Sequence, residues 1–358
     1  MNVFVSRNRF DFNNIEKELI LANSNILKRI RRFGVMEVML QMWYGLVYLV
    51  ARYVLRKRWL VRKIHNYKLR LDLTYPGLSR QILIAGTREE QLKAVLEREL
   101  RPGATVLDLG ANIGYYTVMM GKIIGPTGKI YAIEPEPRNF DLLKQNISLN
   151  GMDDMVEARN VAAGEKEGKA RFYVSEFSNL HTMLPISRDG KMTPGIKEDS
   201  YIEVDTVDPS LFLVGKKPVD LIRMDIEGFE VEVFKGLERA IKEGLFTGRL
   251  VFEAHFPKYT EAHSMKKALQ MLFSYGYRVS SVTSNDERTS RLKERGYMPH
   301  QIFQVTDDRY QGVYGALSDE DAVYFISEIG GVRDVVLSKS TGGEKYQENL
   351  KRAEFSKA

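Results

Sequence analysis

The order of segments predicts an α/β fold: a mostly parallel, Rossmann-like sheet of seven strands with an N-terminal helical appendage. Three observations lead there. From about residue 104 to 283, short apolar runs alternate with segments of helical period, and strands joined by helical crossovers pair in parallel. The first of these runs, Val106-Leu107-Asp108-Leu109, ends in a glycine turn, Gly110-Ala111-Asn112-Ile113-Gly114, which feeds a helical pattern from Tyr115. The second, Lys129 to Ile133, stops at an acid, Glu134.

The bulk numbers agree with one sizeable domain plus an appendage. The chain has 358 residues, 44% of them hydrophobic and 28% charged, which argues against global disorder and against a polytopic membrane protein. It has no cysteine, which removes disulfides, thiolate metal sites and a cysteine nucleophile together and fits a cytoplasmic setting. Charge is unevenly spread. Residues 1–70 hold 15 Lys/Arg against 4 Asp/Glu, or +11, so the remainder carries −5 of the +6 total. A nucleic-acid enzyme should carry its basic patch beside its chemistry, so this division argues against that class.

Residues 1–67 form the basic arm. Lys28, Arg29, Arg31 and Arg32 precede an apolar run with Trp43, Tyr44 and Tyr48, and Arg56, Lys57, Arg58, Arg62 and Lys63 follow it. Only 14 uncharged residues separate Glu37 from Arg52, short of the about 20 that a span needs. The flanks suit a helix that meets a membrane surface through residues 28–63, or one packed on its own domain or in a dimer.

The main domain is expected over 68–340, with its core at 80–283. Lys68 to Thr74 and Gln81 to Ala85 read as lead-in strands. Arg88 to Leu100 reads as a helix ended by Arg101-Pro102-Gly103. The sheet strands follow at 104–109, 129–134, 155–161, 219–224, 249–254, 277–283 and about 333–338, with helices at 115–124, 137–149, 230–244 and 260–275. Lys169 to Val174 and Tyr201 to Thr206 flank a polar loop holding Ser178, Asn179, His181 and Thr182, placed to roof a site. Residues 284–320, long and polar, read as a lid or peripheral insertion, and 341–358 as a loose tail.

The turn after the first sheet strand departs from G-x-G-x-x-G. Its middle glycine is missing where a pyrophosphate needs close backbone approach, which disfavours a nicotinamide or flavin enzyme. Asp108, Gly110, Asn112 and Gly114 are the turn's candidate ligand residues. Glu134 suits ribose hydroxyls, and Asn160 either flanks a base or is a turn residue. Ligands in open α/β sheets bind outside the carboxyl ends of the strands, where Asp225 and Glu227 follow the fourth strand and Glu253 and His255 close the fifth. Asp225, Glu227, His255 and the loop residue His181 are the candidate catalytic groups. Each has a plainer alternative: Glu227 and Glu230 can serve a helix dipole, and either histidine can be structural. The carboxylates do not select a metal.

Asp-x-Gly-x-x-x-Gly with an acid ending the next strand resembles the S-adenosyl-L-methionine site of class I methyltransferases. Val106 to Tyr116, Ile133-Glu134-Pro135, Asn160-Val161-Ala162-Ala163, Asp220 to Gly236 and Phe252-Glu253-Ala254-His255 resemble the FkbM family of methyltransferases. The resemblance covers roughly 80–283, with Asp225-Ile226-Glu227-Gly228-Phe229-Glu230 its most specific block. It implies S-adenosylmethionine-dependent O-methylation of a sugar, glycan or other hydroxylated small molecule. A hydroxyl is a weak nucleophile near neutral pH, so that chemistry calls for a base or a metal. The rival readings are a nucleic-acid methyltransferase and a non-catalytic module with a membrane- or partner-docking arm.

Overall fold

The computed structural model describes residues 26–75, 77–306 and 309–339. Residues 1–25 and the expected tail at 341–358 lie outside them. The chain enters as helix α1 (Ile26–Leu49), whose path breaks at Gly34 (φ 78°) and which ends in a π-helical turn, Val50–Val54. Strands β1 (Trp59–Ile64) and β2 (Tyr67–Asp72) then pair as an antiparallel hairpin, Trp59 opposite Asp72. This hairpin crosses the expected boundary at residue 67, so the folded body begins at Trp59.

Helices α2 (Leu78–Ala85) and α3 (Glu90–Glu99) follow. Gln81 to Ala85, expected as a strand, is the second half of α2. A short apolar run does not distinguish strand from helix by itself, and burial of Leu78, Ser79, Ile82 and Leu83 on one helical face decides it. The β/α series comes next: β3 (Thr105–Leu109), α4 (Tyr115–Ile124), β4 (Lys129–Ile133), α5 (Pro137–Leu149) and β5 (Val156–Arg159). Pro137 at the first helical turn and the Glu136 side chain, which accepts from Asn139 N, start α5. A small sheet of β6 (Ala162–Ala163), β7 (Gly168–Tyr173) and β8 (Tyr201–Val207) stands apart, ordered β6-β8-β7.

The chain returns through α6 (Pro209–Leu213), β9 (Leu221–Met224), α7 (Glu230–Lys242), β10 (Arg249–Glu253), α8 (Met265–Ser274) and β11 (Tyr277–Ser284). It ends with β12 (Gln301–Thr306), β13 (Arg309–Tyr314), α9 (Asp319–Val323) and β14 (Val332–Lys339). The main sheet has nine strands in the order β12-β13-β11-β14-β10-β9-β3-β4-β5. Its five-strand centre, β10 to β5, is parallel, and β14, β11 and the β12-β13 hairpin join antiparallel. Seven of these strands match expectation. The other two lie in the segment read as an insertion, where Gln301-Ile302-Phe303-Gln304 mixes polar and apolar residues as a half-covered edge strand does.

Strand alternation splits the core into two layers. Val106 faces the side of α4 and α5 with Val118, Leu143 and Ile147, while Leu107 and Leu109 face Val233, Phe234, Leu237 and Leu269 of α7 and α8. Strand order reverses between β3 and β9, and a crevice opens at the carboxyl ends of a sheet at such a reversal.

Candidate functional site

Two loops meet at that reversal. Gly110, after β3, adopts φ 79°, and a Cβ there would run into the carbonyl oxygen of Asp225, after β9. Only glycine lets the two strand ends come this close. The joint is pinned by Arg223, buried inside β9. Its guanidinium donates to Asp108 Oδ1 (3.2 Å), the Gly110 carbonyl (3.2 Å) and Asp225 Oδ2 (2.9 Å), and stacks 4.4 Å from the Tyr116 ring centre.

A cleft runs along the joint. The β3 side contributes Gly110, Asn112 and Glu134 to its lining and the loop after β9 contributes Asp225 and Glu227, with Arg88, Tyr115 and Tyr116 also on its wall. The loop between β7 and β8 covers it, as its polar composition suggested: Ser178, Asn179 and His181 all line the cleft. The Ser178 carbonyl accepts from Asn112 Nδ2 (2.9 Å) and Asn139 Nδ2 (3.0 Å), which ties this roof to both ends of the turn-helix unit.

In the turn, the amides of Gly110 and Ala111 donate to Ile133 O, that of Asn112 to Glu134, that of Ile113 to the Asn112 side chain, and that of Gly114 to Ala111 O. Five consecutive N–H groups are therefore satisfied inside the protein. Glu134 is almost fully buried, with Oε2 accepting from Asn112 N (2.8 Å) and Oε1 from Glu136 N (2.9 Å). Each carboxylate oxygen retains a lone pair for a further donor. Burial pushes its carboxyl up to about 8, against the pull of those two amides.

In the loop after β9, Glu227 has φ 53° and Gly228 φ 105°, a bend that turns the carboxylate toward the cleft. Thr182 holds this bend by donating to Glu227 O (2.8 Å). Burial pushes the Glu227 carboxyl up to about 7, with His255 opposing the shift. His255 Nδ1 lies 2.9 Å from Glu230 Oε1, and Glu230 is itself held by Gly228 N (3.1 Å) and Tyr259 OH (3.2 Å). His255 Nε2 looks toward Glu227 (3.6 Å), Asp225 (3.9 Å) and Glu253 (3.9 Å). Burial works against a charge on this ring, but Glu230 and Glu227 outweigh it and hold its pKa well above the usual histidine value. The surrounding carboxylates thus favour the charged form of His255, which sits among them as an orienting partner.

His181 sits in the roof among fixed partners. Its Nδ1 accepts from Ser175 N (2.9 Å), which leaves the proton on Nε2, facing Tyr75 OH at 3.1 Å, and that hydroxyl passes its own proton to Ser175 O (3.0 Å). Burial drives its pKa down to about 4. The ring is neutral and locked, a pin of the roof. Three of the expected ligand residues likewise act one step back. Asp108 is fully buried between Arg223 and Thr117 Oγ1 (2.6 Å), Gly114 packs against Leu143, and Asn160 spends both amide protons on Glu134 O and Pro135 O. They shape the turn and are absent from the cleft lining.

Asp225, Glu253 and His255 bring donor atoms within 4.8 Å of one another, close enough to share a divalent cation. Each also has an ionic partner, Arg223, Arg333 (2.8 Å) and Glu230 respectively. Sequence reading passed over Arg88 and Arg223. Arg223 had a signal, a charge inside the apolar run Leu-Ile-Arg-Met. Arg88 had none, because its place on the cleft depends on how α3 folds back.

Residues 108–279 match the family model described as "Methyltransferase FkbM domain". Among curated relatives, "Methyltransferase sdnD" of Sordaria araneosa is 28% identical over 158 residues, 37% of this chain and 60% of that protein. "Hexuronic acid methyltransferase AglP" of Haloferax volcanii is 27% identical over 168 residues, 47% of this chain and 62% of that one. The chain thus spans about 60% of the length of the curated relatives it matches. A solved structure of "Methyltransferase FkbM" from Methylobacillus flagellatus KT aligns over 66% of this chain and 52% of its own, with 16% identity and a TM-score of 0.32.

Proposed function

We propose, from the premise that residues 108–279 are a methyltransferase FkbM domain, that this protein is an S-adenosylmethionine-dependent methyltransferase acting on a hydroxyl of a sugar, glycan or other small molecule. One observation carries the reading: a single cleft joins Glu134 and the β3 turn to Asp225 and Glu227. The residues fit that cofactor better than a dinucleotide. A pyrophosphate needs free N–H groups at the glycine turn, and the five here are already taken. A ribose needs a buried acceptor with capacity to spare, which Glu134 supplies. Arg88, a cation on the cleft lining, suits the cofactor's carboxylate, and the apolar lining at Ala162, Ala163 and Phe229 suits its base.

When bound, S-adenosylmethionine supplies a methyl group on a positively charged sulfur. The protein's share is alignment and proton removal. Glu227, with its carboxyl near 7 and its side chain on the cleft, would take the acceptor's hydroxyl proton as the new C–O bond forms and the methyl's bond to sulfur breaks, leaving a neutral thioether. Asp225, fixed by Arg223, orients the hydroxyl toward Glu227. His255 and Glu230 hold the carboxylates apart. The sugar-like acceptor is supported by the printed name of the Haloferax volcanii relative.

Calorimetric titration of S-adenosylmethionine, followed by radiolabelled methyl transfer to fractionated glycans and hydroxylated small molecules, tests this. The expected result is cofactor binding and label in an alkali-stable ether, lost in Glu227→Gln. Absence of cofactor binding would sink the reading. Label found instead in nucleic acid, with steeply salt-dependent binding, would move the acceptor to that class.

A further inference from the structure

The arm takes no part in the chemistry above. From Gly34 to Val54 it offers 21 residues of helix with a mean hydropathy of 1.4. One face packs on the body. Val38, Gln41, Tyr48 and Ala51 are buried, Arg62 of β1 lies 3.8 Å from the Tyr44 ring centre, and the same guanidinium donates to Ile82 O of α2 (2.9 Å). The opposite face carries Met36, Met39, Trp43, Leu46, Val50 and Val54, spaced three or four residues apart and therefore in one stripe. Met36 is 80% exposed and Trp43 60%. Isolated exposed apolar residues are ordinary, but a continuous stripe marks a contact surface.

What covers the stripe follows from its geometry and its ends. In the docked position the inner face is covered by the body, whose Arg62 and Arg80 lie against Tyr44 and Tyr48, so the helix as seated here offers a membrane only its outer face. Arg56, Lys57 and Arg58 stand exposed just past its carboxyl end, and the sequence places Lys28, Arg29, Arg31 and Arg32 before its start. A second copy laid on the stripe would set these basic ends against each other. An anionic headgroup layer would neutralise them. Trp43 on the stripe suits the interface itself.

We propose that the outer face of Gly34–Val54 seats this protein on the surface of an anionic bilayer, with the helix axis in the membrane plane. The inference is independent of the methyl-transfer reading. Each basic residue near an anionic leaflet raises partitioning roughly fivefold, so the three exposed ones give on the order of a hundredfold preference for anionic over neutral vesicles. The test uses the full chain with Trp59→Phe, so that Trp43 alone reports, and phosphatidylcholine vesicles with and without phosphatidylserine. The expected result is flotation and a blue shift of Trp43 emission with phosphatidylserine only. Both should be lost in Met39→Glu/Leu46→Glu while circular dichroism stays unchanged. Failure of the parent chain to float would overturn the proposal. So would a vesicle-free dimer that the double substitution dissolves, which would make the stripe a dimer face.

Discussion

Cofactor binding should be linked to the loss of one proton, from Glu134. In the free protein its carboxyl is pushed up to about 8 by burial. Ribose hydroxyls donate to the ionised form, so binding pulls that pKa down and must expel the proton wherever it is still held. Affinity should therefore rise with pH, by up to about tenfold per unit, and level off above about 8. Glu134→Gln removes the ionisation and replaces charge-assisted hydrogen bonds with neutral ones, a loss of about 2 kcal/mol or roughly thirtyfold in Kd. At pH 8.5 the variant should bind about thirtyfold more weakly. At pH 6.5 the parent itself binds roughly thirtyfold below its plateau, so the two curves converge there. The same shift has a sign for stability. A raised carboxyl contributes fully below its ordinary 4.5 and loses that contribution as pH climbs to about 8, so the ligand-free variant should lose less stability over this window. Calorimetric titrations at pH 6.5, 7.5 and 8.5, in buffers of different ionisation enthalpy, read proton release directly. Equal pH slopes in parent and variant would refute the reasoning.

Other substitutions separate the remaining roles. Glu227→Gln should lower kcat by about 10²–10⁴ with the cofactor Kd nearly unchanged, as steady-state kinetics and calorimetry would register. Arg223→Met leaves Asp108 charged and buried without its partner, and should cost about 3–5 kcal/mol in urea denaturation, with Asp108→Asn on the same background recovering part of it. Gly110→Ala should fail to yield native protein or should lose cofactor binding, because its Cβ meets the Asp225 backbone. His181→Phe should lower the thermal midpoint yet leave the pH–rate profile unmoved, since the ring is already neutral.

Much of this was legible in the residues, for reasons that can be stated. The strand at Val106–Leu109, the glycine turn and Glu134 are local features, and local spacing is what a sequence records. Glu227 and Asp225 were legible because a carboxylate directly after an apolar strand needs a reason to be there. The edge hairpin Gln301–Tyr314 was not, because an edge strand covered on one side carries only a weak alternation. What each of the two histidines does turns on which partner its ring nitrogens face, and local spacing does not record that. Ser175 N for His181 and Glu230 for His255 are 6 and 25 residues away in the chain, and only folding brings them into contact.

Burial together with a place on the cleft explains why Glu227 is the group left to move a proton. Arg223 is bound to Asp108 and Asp225, Arg333 to Glu89 and Glu253, and His255 to Glu230. Pairing does not act alone: burial pushes Glu89 up, yet Arg88 and Arg333 bring it to about 2, whereas at Glu253 burial outweighs Arg333 and the carboxyl rises to about 8, but Glu253 is absent from the cleft lining. Glu227 faces His255 at 3.6 Å, within ion-pair range but beyond hydrogen-bond reach. Burial then dominates and its carboxyl comes to rest near 7. The left-handed bend at Glu227 and Gly228, tied by Thr182, is what holds it on the cleft. Straightening that bend with Gly228→Ala, whose Cβ would collide with Lys258, should therefore abolish transfer even with the carboxylate intact. If single-turnover kinetics found that variant as fast as the parent, the proton would have to leave by another route.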